Sequence, residues 1–589
     1  MTFATEKSPF MKNLQKIGLL LTILFSFCGS ALSQSWQPLL HPAPFQASVP
    51  LLLTDGTLLV QVVGASNWWK LTPDINGSYR NGTWAQVASL PSTYGPLYYA
   101  SAVLADGRVV IVGGEYNNFS AVWTNQGASY DPITNAWTML APPTGWSNIG
   151  DAQCVVMPDG KFLVANPFDT RMASLNPATM TWTPLNGAGK VDRFDEEGWT
   201  LMPDSTLMTV DAIQNPHTEK YIPWLDIWVS AGNTPQTLVD SASQEMGPSV
   251  LLPNGKMVAF GATGHNAIYT VGALSTDPGS WASIPDFPMV SGQQLAMADA
   301  PSCLLTNGNV LVGASPGIFN PGTKFFEYDG VSLIPEPATP NSPGNPCYVG
   351  NMLMLPTGEV FYTDFTNDIR MYIPIGGPNP AWKPTITSCP SVLSPNQVFT
   401  IQGTQFNGLS QCCSYGDDSA NATNYPLVRV TNNATGHVKY CRTKDHSTMA
   451  VATGSLPTST SVTVPSNIET GASTIEVVTN GIASTPLAIT VGTPAPVITS
   501  VSPSSITAGG ATFTMTVTGT GYVSSSFLSW KSASIGGASF SVFPVTTFVS
   551  PTQLSVVIPA ALFTKVGKYS VTVVNPGNIK SNAVQVTAN

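Results

Sequence analysis

The sequence predicts an all-β protein in which seven repeated β units precede two antiparallel β-sandwiches. Only 10% of the 589 residues are Asp, Glu, Lys or Arg, whereas 51 are Gly and 50 are Pro. Turns should therefore be frequent, and long charged helices are not expected. A tight turn between two short apolar strands recurs about every fifty residues, which is the spacing of stacked β units. After Pro384 this recurrence ends, and Thr- and Ser-rich strands with alternating apolar residues follow.

The repeated unit is clearest in "LADGRVVIVGG" (104–114), where an Asp-Gly pair joins two apolar strands. Such a pair favours the positive φ angles that a tight hairpin requires. In the fourth unit, Ser205 replaces the turn glycine. One such unit cannot bury both faces of its sheet, so neighbouring units must cover each other. Matching turns occur at seven positions: Asp55, Asp106, Asp159, Asp204, Asn254, Asn307 and Thr357.

Several units end in a polar turn with a tryptophan, as in "SYDPITNAWTML", which contains Trp137. We expect one bulky aromatic side chain per unit to fill the gap between neighbouring sheets. The Gly113-Gly114 pair, Tyr130 and Trp137 together resemble the kelch repeat. This resemblance implies that residues 35–383 form a seven-bladed kelch-like β-propeller.

Two immunoglobulin-like β-sandwiches are predicted after the propeller, over residues 384–492 and 496–589. Both begin with a Pro-rich segment and continue with alternating apolar, Thr and Ser residues. The last module resembles the IPT/TIG family through "ITSVSPSSITAGG" (498–510) and "YSVTVVNPGNIKSNAVQVT" (569–587).

The N-terminus predicts a secretory signal over residues 1–33. Lys12 and Lys16 precede the apolar run "IGLLLTILFSFC" (17–28), and small residues precede Gln34. The run is shorter than the roughly 20 residues needed to span a bilayer, so we expect a secreted, soluble monomer with no membrane span. The net charge of −10 disfavours nucleic acid and anionic lipid as partners.

A secreted kelch propeller followed by a sandwich also resembles the galactose oxidase and glyoxal oxidase family, in which a sandwich loop delivers a histidine to copper at the propeller axis. In this chain "HVKYCRTKDHSTMAVATG" (437–454) places His446 at the matching position. Tyr348 matches a family tyrosine, but Val349 stands where the family has a second histidine. Tyr99 and Asp151 occupy the positions of the family's linked cysteine and tyrosine. Because copper(II) favours two or more imidazoles, copper is not expected here.

Residues about eight positions before each turn should begin the innermost strand and face the axial mouth of the propeller. Four of the six residues at this offset are acids, in a chain where acids are scarce. Crowded carboxylates either acquire raised pKa values or hold a cation. With Trp199 and His446 the predicted site comprises Tyr99, Asp151, Glu197, Trp199, Glu245, Asp299, Tyr348 and His446.

Three roles remain open for these acids. Glu197 and Glu245 could act as general acid and base in glycoside cleavage, which needs two carboxyls across a sugar. The acids with Tyr99 and Tyr348 could instead bind Ca²⁺ or a sugar without chemistry. They could also only accept hydrogen bonds from backbone N–H groups of the channel.

We favour non-catalytic binding of an extracellular carbohydrate or cell-envelope ligand at the mouth. The alternatives are a carboxylate-dependent hydrolase and a diverged oxidase. No cofactor is expected, although the acids could hold Ca²⁺.

Overall fold

The computed structural model describes residues 35–416, 421–493, 495–532 and 540–589. The predicted secretory segment, residues 1–33, lies outside these ranges. The helices in the described ranges are three single 3₁₀ turns, Cys347–Val349, Pro380–Trp382 and Ala560–Leu562. None of them has the length and apolarity needed to cross a membrane. Apart from these turns the regular structure is β-strand, and the prediction of an all-β protein is confirmed.

The described residues from 35 to 373 form seven four-stranded antiparallel sheets, numbered here by their innermost strands in chain order. Sheet 1 contains Ala47–Leu52, Leu58–Val62, Trp68–Thr72 and Thr83–Gln86, and sheet 2 contains Ala100–Val103, Val109–Val112, Gly127–Asp131 and Ala136–Leu140. Sheet 3 contains Cys154–Val156, Phe162–Ala165, Met172–Asn176 and Thr181–Leu185, and sheet 4 contains Thr200–Leu201, Leu207–Val210, His217–Ile222 and Ile227–Asn233. Sheet 5 contains Ser249–Leu251, Met257–Phe260, Asn266–Thr270 and Ser280–Ile284. Sheet 6 contains Ser302–Leu304, Val310–Pro316, Lys324–Tyr328 and Leu333–Glu336. Sheet 7 contains Asn351–Met354, Val360–Thr363, Arg370–Ile373 and Ser35–Pro38.

Short strands supplement these sheets and form a small sheet of their own. Met289–Val290 and Gln293–Ala296 extend sheet 6, and Pro96–Leu97, Tyr116–Asn117 and Ser120–Ala121 form a separate three-stranded sheet.

Each predicted tight turn joins the first and second strands of its sheet. In sheet 1, the Gly56 N–H donates to the carbonyl of Leu53 at 2.9 Å, and Gly56 has a φ of 76°. Ser205 adopts the same left-handed conformation, with a φ of 69°. The turn geometry is therefore kept in sheet 4 without glycine, at the cost of some backbone strain.

Aromatic side chains fill the gaps between neighbouring sheets, as the tryptophan pattern predicts. The ring of Trp137 in sheet 2 lies 5.2 Å from that of Trp68 in sheet 1. Its indole N–H donates to the carbonyl of Ala88 at 2.9 Å. Each sheet is thus covered by a side chain of the next one along the chain.

Sheet 7 is completed from the other end of the propeller segment. Its outermost strand, Ser35–Pro38, pairs antiparallel with Arg370–Ile373. The Trp36 ring packs 4.8 Å from Phe325 and 5.2 Å from Tyr362, so it joins sheets 6 and 7. This pairing ties the beginning of the propeller segment to its end.

The two sandwiches follow the propeller. The strands of the first are Thr385–Ser388, Val392–Leu393, Val398–Thr404, Leu427–Asn432, Val438–Lys444, Pro457–Thr463, Gly471–Thr479, Ile482–Ala483 and Leu487–Val491. The strands of the second are Val497–Ser502, Ser505–Ile506, Phe513–Thr520, Phe527–Lys531, Ser541–Val542, Thr546–Ser550, Gln553–Ile558, Gly567–Asn575, Ile579–Lys580 and Val584–Ala588.

The first sandwich packs against the end of the propeller that carries the tight turns, which we call the turn end. Arg442 pairs with Asp55 at 2.7 Å, and the Thr443 N–H donates to the carbonyl of Thr54 at 3.1 Å. The Tyr425 hydroxyl donates to the carbonyl of Leu52 at 2.5 Å. The tight turns thus have a second role as the docking surface of the sandwich.

A segment of the first sandwich, residues 410–416, runs between the innermost strands of the propeller; we call it the threaded segment. Its strand Cys413–Ser414 pairs antiparallel with Ser302–Leu304 of sheet 6. On another side, the Leu201 N–H of sheet 4 donates to the Gln411 side chain at 2.9 Å. The segment therefore carries sandwich residues from the turn end towards the opposite end of the propeller.

Replacing Gly56 with Ala should destabilise the protein by about 1–3 kcal/mol more than replacing Gly255 with Ala. Both glycines have φ near 80°, at 76° and 80°, so the backbone penalty is matched. A Cβ at Gly56 would lie 2.4 Å from the Tyr440 ring of the sandwich, whereas a Cβ at Gly255 meets nothing within 4 Å. Thermal melts of the two variants measure the difference. Equal losses would show that the sandwich does not press on this turn.

Candidate functional site

Three acids meet at the end of the propeller opposite the turn end. The innermost strands begin there, and we call it the mouth end. Glu196, Glu245 and Asp299 precede the innermost strands of sheets 4, 5 and 6. One carboxylate oxygen from each lies within 4.8 Å of those of the other two. We call these three residues the mouth carboxylates. Their convergence follows from the ring of sheets, since they are far apart along the chain.

Two further acids, Glu115 and Asp151, extend the cluster towards sheets 2 and 3. The Gly114 N–H donates to the carbonyl of Gly150 at 2.6 Å, which brings the Glu115 loop beside Asp151. A Cβ at Gly113 would lie only 2.2 Å from the Gly150 oxygen, so this approach requires glycine there.

Burial raises the pKa values of all five acids, and repulsion from neighbouring carboxylates adds to the rise in four of them. Burial, reinforced by Asp299, raises the pKa of Glu115 to about 7. Burial raises the pKa of Asp299 to about 6, although a hydrogen bond with Glu245 opposes the rise. Burial and neighbouring carboxylates hold the pKa values of Asp151, Glu196 and Glu245 well above their usual range. Near neutral pH the cluster therefore resists full ionisation unless positive charge is supplied.

The mouth carboxylates lack the positive partners that acids of this burial require. Within the described ranges, no Lys, Arg or His forms an ion pair with any of the three. Glu245 is only 7% exposed, yet its Oε2 accepts no hydrogen bond from an N–H or hydroxyl group. The carboxyls of Asp299 and Glu196 approach it.

The threaded segment ends against this cluster. A Cβ at Gly416 would lie 2.2 Å from Oδ1 of Asp299, so the backbone of the segment reaches the carboxylate itself. The Tyr415 hydroxyl donates to the carbonyl of Tyr348 at 2.5 Å. The sandwich thus contributes to the inner wall of the mouth.

Aromatic side chains surround the acids at the mouth end. Tyr98 lies 6.1 Å from Tyr116 and 6.3 Å from Phe365, measured between ring centroids. Two edge-to-face pairs follow further round, Trp123 with Phe168 and Phe319 with Tyr348, each at 5.5 Å. Trp123, Phe168 and Phe319 are 43%, 39% and 42% exposed. These partly exposed rings lie at the same end of the propeller as the acids, and we call them the aromatic rim.

Of the predicted site residues, Asp151, Glu245 and Asp299 belong to the acidic cluster, and Tyr348 lies in the rim. The assignment of Glu197 to the mouth is wrong, because its neighbour Glu196 faces the mouth instead. Glu196 has a φ of 60°, and this turn of the backbone directs the two adjacent carboxylates to different places.

Glu197 belongs to a buried ion cluster inside sheet 4. The Lys190 Nζ lies 3.0 Å from Glu197, 2.8 Å from Glu219 and 3.5 Å from Asp211, and it also contacts Asp192. The Lys190 side chain is fully buried. Burial disfavours its charged form, but the four carboxylates outweigh this effect and raise the pKa of Lys190.

Trp199 and Tyr99 are also not part of the mouth surface. Trp199 is 7% exposed and packs among the rings of Phe194 and Trp228. Tyr99 is fully buried, and its hydroxyl donates to the side chain of Gln61 at 2.7 Å. Both are core residues, because an aromatic ring at the start of an innermost strand turns between sheets more readily than into the channel.

His446 lies at the turn end rather than at the mouth. Its backbone N–H donates to the carbonyl of Ala105 at 3.2 Å, and its ring Nδ1 contacts the Thr460 hydroxyl at 2.8 Å. Burial lowers the pKa of His446 to about 3, so it is neutral at physiological pH. The sandwich segment that does reach the mouth is residues 410–416.

The donors at the mouth do not fit copper. All five histidines of the chain lie in described residues, and each has its hydrogen-bond partner elsewhere: His41 with Gly82, His217 with Asp211, His265 with Asp286, His437 with Glu469 and His446 with Thr460. Copper(II) sites are built from imidazoles, whereas the mouth offers carboxylate oxygens. We therefore derive no chemistry through copper.

The sequence pattern missed Glu115, Glu196 and the residues of the aromatic rim other than Tyr348. Glu115 follows the Gly113-Gly114 pair directly, and this glycine pair was the available signal for a close approach between neighbouring sheets. The rim residues lie in loops whose course is not set by periodicity.

Replacing Lys190 with Met should destabilise the protein by about 3–5 kcal/mol, because it leaves buried carboxylates without their cation. Lys161→Met is the matched control, since Lys161 pairs with Asp159 at the surface and both side chains are about half exposed. This control should change the stability by less than about 1 kcal/mol. Calorimetry of both variants at neutral pH tests the difference, and a small loss for Lys190→Met would contradict it.

Comparison with known proteins identifies two family segments. The kelch motif model matches residues 96–144, which include sheet 2, and the IPT/TIG domain model matches residues 496–588. The Kelch-like protein terF of Aspergillus terreus is 31% identical over 132 residues. That match covers 21% of this chain and 25% of terF.

Solved structures share low sequence identity with the chain. A fungal alcohol oxidase of the AA5 family, in complex with copper, is 13% identical, with a TM-score of 0.41, over 94% of this chain and 99% of that one. A catalytically inactive virginiamycin B lyase from Staphylococcus aureus, with quinupristin, is 9% identical, with a TM-score of 0.41, over 58% of this chain and 99% of that one. The chain thus carries a kelch motif and an IPT/TIG domain.

Proposed function

We propose that the chain is an extracellular protein that binds carbohydrate at the propeller mouth without catalysis, through a Ca²⁺ ion held by Glu196, Glu245 and Asp299. The observation that carries the proposal is that these three carboxylates meet at the end of the propeller that bears the aromatic rim, and that no Lys, Arg or His of the described ranges pairs with them. Its extracellular location rests on the predicted secretory signal.

The spacing of the mouth carboxylates suits a hard divalent cation. Ca²⁺ takes oxygen ligands at about 2.3–2.6 Å, so two ligands on opposite sides of the ion are separated by at most about 5 Å. The three carboxylate oxygens lie within 4.8 Å of each other. A bound ion would neutralise the charge that now raises their pKa values, and it would give Glu245 Oε2 a partner.

The rim supplies the apolar part of a sugar site. A pyranose presents C–H groups on its faces and hydroxyls at its edges, so it fits sites that combine aromatic rings with a few polar groups. The exposed rings of Trp123, Phe168 and Phe319 offer the apolar contacts. Two neighbouring hydroxyls of a sugar can complete the oxygen shell of Ca²⁺, which links the two parts of the site.

Glycoside hydrolysis is the second candidate, but the geometry supports it less well. Glu197 and Glu245, the pair expected from the sequence, lie in different clusters. The observation in its favour is that the pKa values of Asp299 and Glu115, about 6 and 7, lie near the working range of a general acid.

Calcium titration of the full-length protein should detect one site with a dissociation constant of about 10⁻⁴–10⁻³ M, the range of extracellular calcium modules. Glu245→Gln should weaken binding at least about tenfold, because Gln keeps the shape but removes a charged ligand. Glu359→Gln is the control of equal charge change, since Glu359 lies at the turn end and contacts Thr357. A glycan array with and without calcium then tests whether sugar binding depends on the ion.

Calcium binding that survives Glu245→Gln unchanged would exclude this site. Sugar binding without calcium would leave the carbohydrate proposal but remove the ion from it. Turnover of a bound glycan that Glu245→Gln abolishes while affinity is kept would establish the hydrolase instead.

Without calcium, the protein should lose stability as the pH rises from about 4 to about 7. Asp299 and Glu115 have folded pKa values of about 6 and 7, raised above their ordinary values of 3.8 and 4.5. The folded state therefore binds more protons than the unfolded state in this range, and stability falls as these protons leave. The difference in melting temperature between the wild type and Glu245→Gln, followed as a function of pH, measures this effect.

At pH 4 the two proteins should melt alike, and at pH 7.5 Glu245→Gln should be the more stable. Calcium should reverse this order at pH 7.5 by stabilising only the wild type. A wild type that gains stability relative to the variant as the pH rises without calcium would contradict the proposed crowding.

A further inference from the structure

Three cysteines meet where the threaded segment passes sheet 6. Cys303 lies in the innermost strand of sheet 6, and Cys412 and Cys413 lie in the threaded segment; all three are buried. Their sulfur atoms lie within 4.8 Å of one another. Cys303 and Cys413 are far apart in the sequence and belong to different domains, so a link between them would join the propeller to the sandwich.

The strand register places Cys303 directly opposite Cys413. The next residues along, Leu304 and Cys412, are joined by a backbone hydrogen bond of 2.8 Å. Cys303 and Cys413 thus form the closer, non-hydrogen-bonded kind of antiparallel pair, with Cα atoms about 4.5 Å apart. This separation lies within the range of disulfide-bonded cysteines. Their sulfur atoms are already 3.3 Å apart.

The hydrogen bonds around Cys413 favour its thiolate form over those of Cys303 and Cys412. Burial opposes its ionisation, but hydrogen bonds from the Cys303 and Cys412 thiols and from the Met354 N–H lower the pKa of Cys413 to about 5. The Met354 N–H lies 3.2 Å from the Cys413 sulfur. Cys412 is directed differently, since its sulfur contacts the carbonyl oxygen of Leu304 at 3.1 Å.

We propose that Cys303 and Cys413 form a disulfide bond that fastens the threaded segment of the sandwich to sheet 6 of the propeller. The oxidant is a disulfide such as oxidised glutathione, of the kind present in compartments through which exported proteins pass. The Cys413 thiolate attacks one sulfur of that disulfide and releases one thiolate. The Cys303 sulfur then attacks the mixed disulfide and releases the second. Two protein thiols become one disulfide, and the oxidant is reduced to two thiols.

The bond would restrain a segment that forms part of the mouth. Cys413 is three residues from Gly416, whose backbone lies against Asp299. Fixing Cys413 to sheet 6 therefore fixes the wall of the proposed cation site. The inference shares with the proposed function only the export of the chain, and it does not depend on calcium or sugar binding.

A metal site is less well supported by the same atoms. Structural zinc sites in proteins are closed by four ligands. Within the part of the chain that the structure describes, this group offers three sulfur donors from Cys303, Cys412 and Cys413.

Peptide mapping of the full-length protein, equilibrated with a glutathione redox pair and alkylated without reduction, tests the bond. The peptide that contains Cys303 should be linked to the one that contains Cys413. Cys412→Ala separates the two adjacent candidates and should keep the link, whereas Cys413→Ala should lose it. Cys347→Ala is the control, since Cys347 is a buried propeller cysteine outside the group.

Reduction should lower the melting temperature of the wild type and of Cys412→Ala by roughly 5–10 °C, as expected for opening a loop of this length. It should leave Cys413→Ala unchanged. Free thiols at both Cys303 and Cys413 in the oxidised wild type would overturn the proposal. So would a link that is lost in Cys412→Ala, or one zinc ion bound per chain in place of the link. The calcium titration remains valid in each of these cases.

Discussion

The structure depends on the fact that none of its four-stranded sheets can bury both faces alone. Each innermost strand is almost wholly apolar and buried, and each sheet is covered by rings and aliphatic side chains of the next. The first and last parts of the propeller segment must then meet, and the pairing of Ser35–Pro38 with Arg370–Ile373 joins them. Every residue that begins an innermost strand is thereby brought towards one end of the propeller.

This arrangement places charge where burial makes it costly. Two buried acidic clusters lie among the described residues, at Glu197 and at its neighbour Glu196, and they differ in one respect. In the cluster around Lys190 one buried ammonium group pairs with four carboxylates and offsets part of their negative charge. At the mouth, Glu196, Glu245 and Asp299 have no such group among the described residues. A buried acidic cluster with its own cation is typical of a structural site, whereas one without a cation is typical of a ligand site. The Lys190 cluster is of the first kind and the mouth carboxylates are of the second.

The first sandwich contacts the propeller at both of its ends. At the turn end, Arg442 and Tyr425 contact the tight turns and strands of sheet 1. At the mouth end, Gly416 touches Asp299, and Tyr415 contacts the backbone of Tyr348. The sandwich therefore forms part of the mouth as well as packing on the turn end. Removing it would open the site from the side of the turn end.

The sequence by itself determined the β class, the positions of the tight turns, the stacking role of tryptophans such as Trp137, and the boundary where the recurrence ends near Pro384. These features depend on short-range rules, because turn residues and apolar alternation act over a few positions. The same offset rule found Asp151, Glu245 and Asp299, since each directly precedes an innermost strand.

Only the tertiary structure decided which of two adjacent glutamates faces the mouth, because the positive φ of Glu196 reverses the side chains in a loop without periodicity. It also decided that His446 lies at the turn end and that residues 410–416 pass through the propeller. Those placements depend on how one domain packs into another, which is a long-range property that local spacing does not encode.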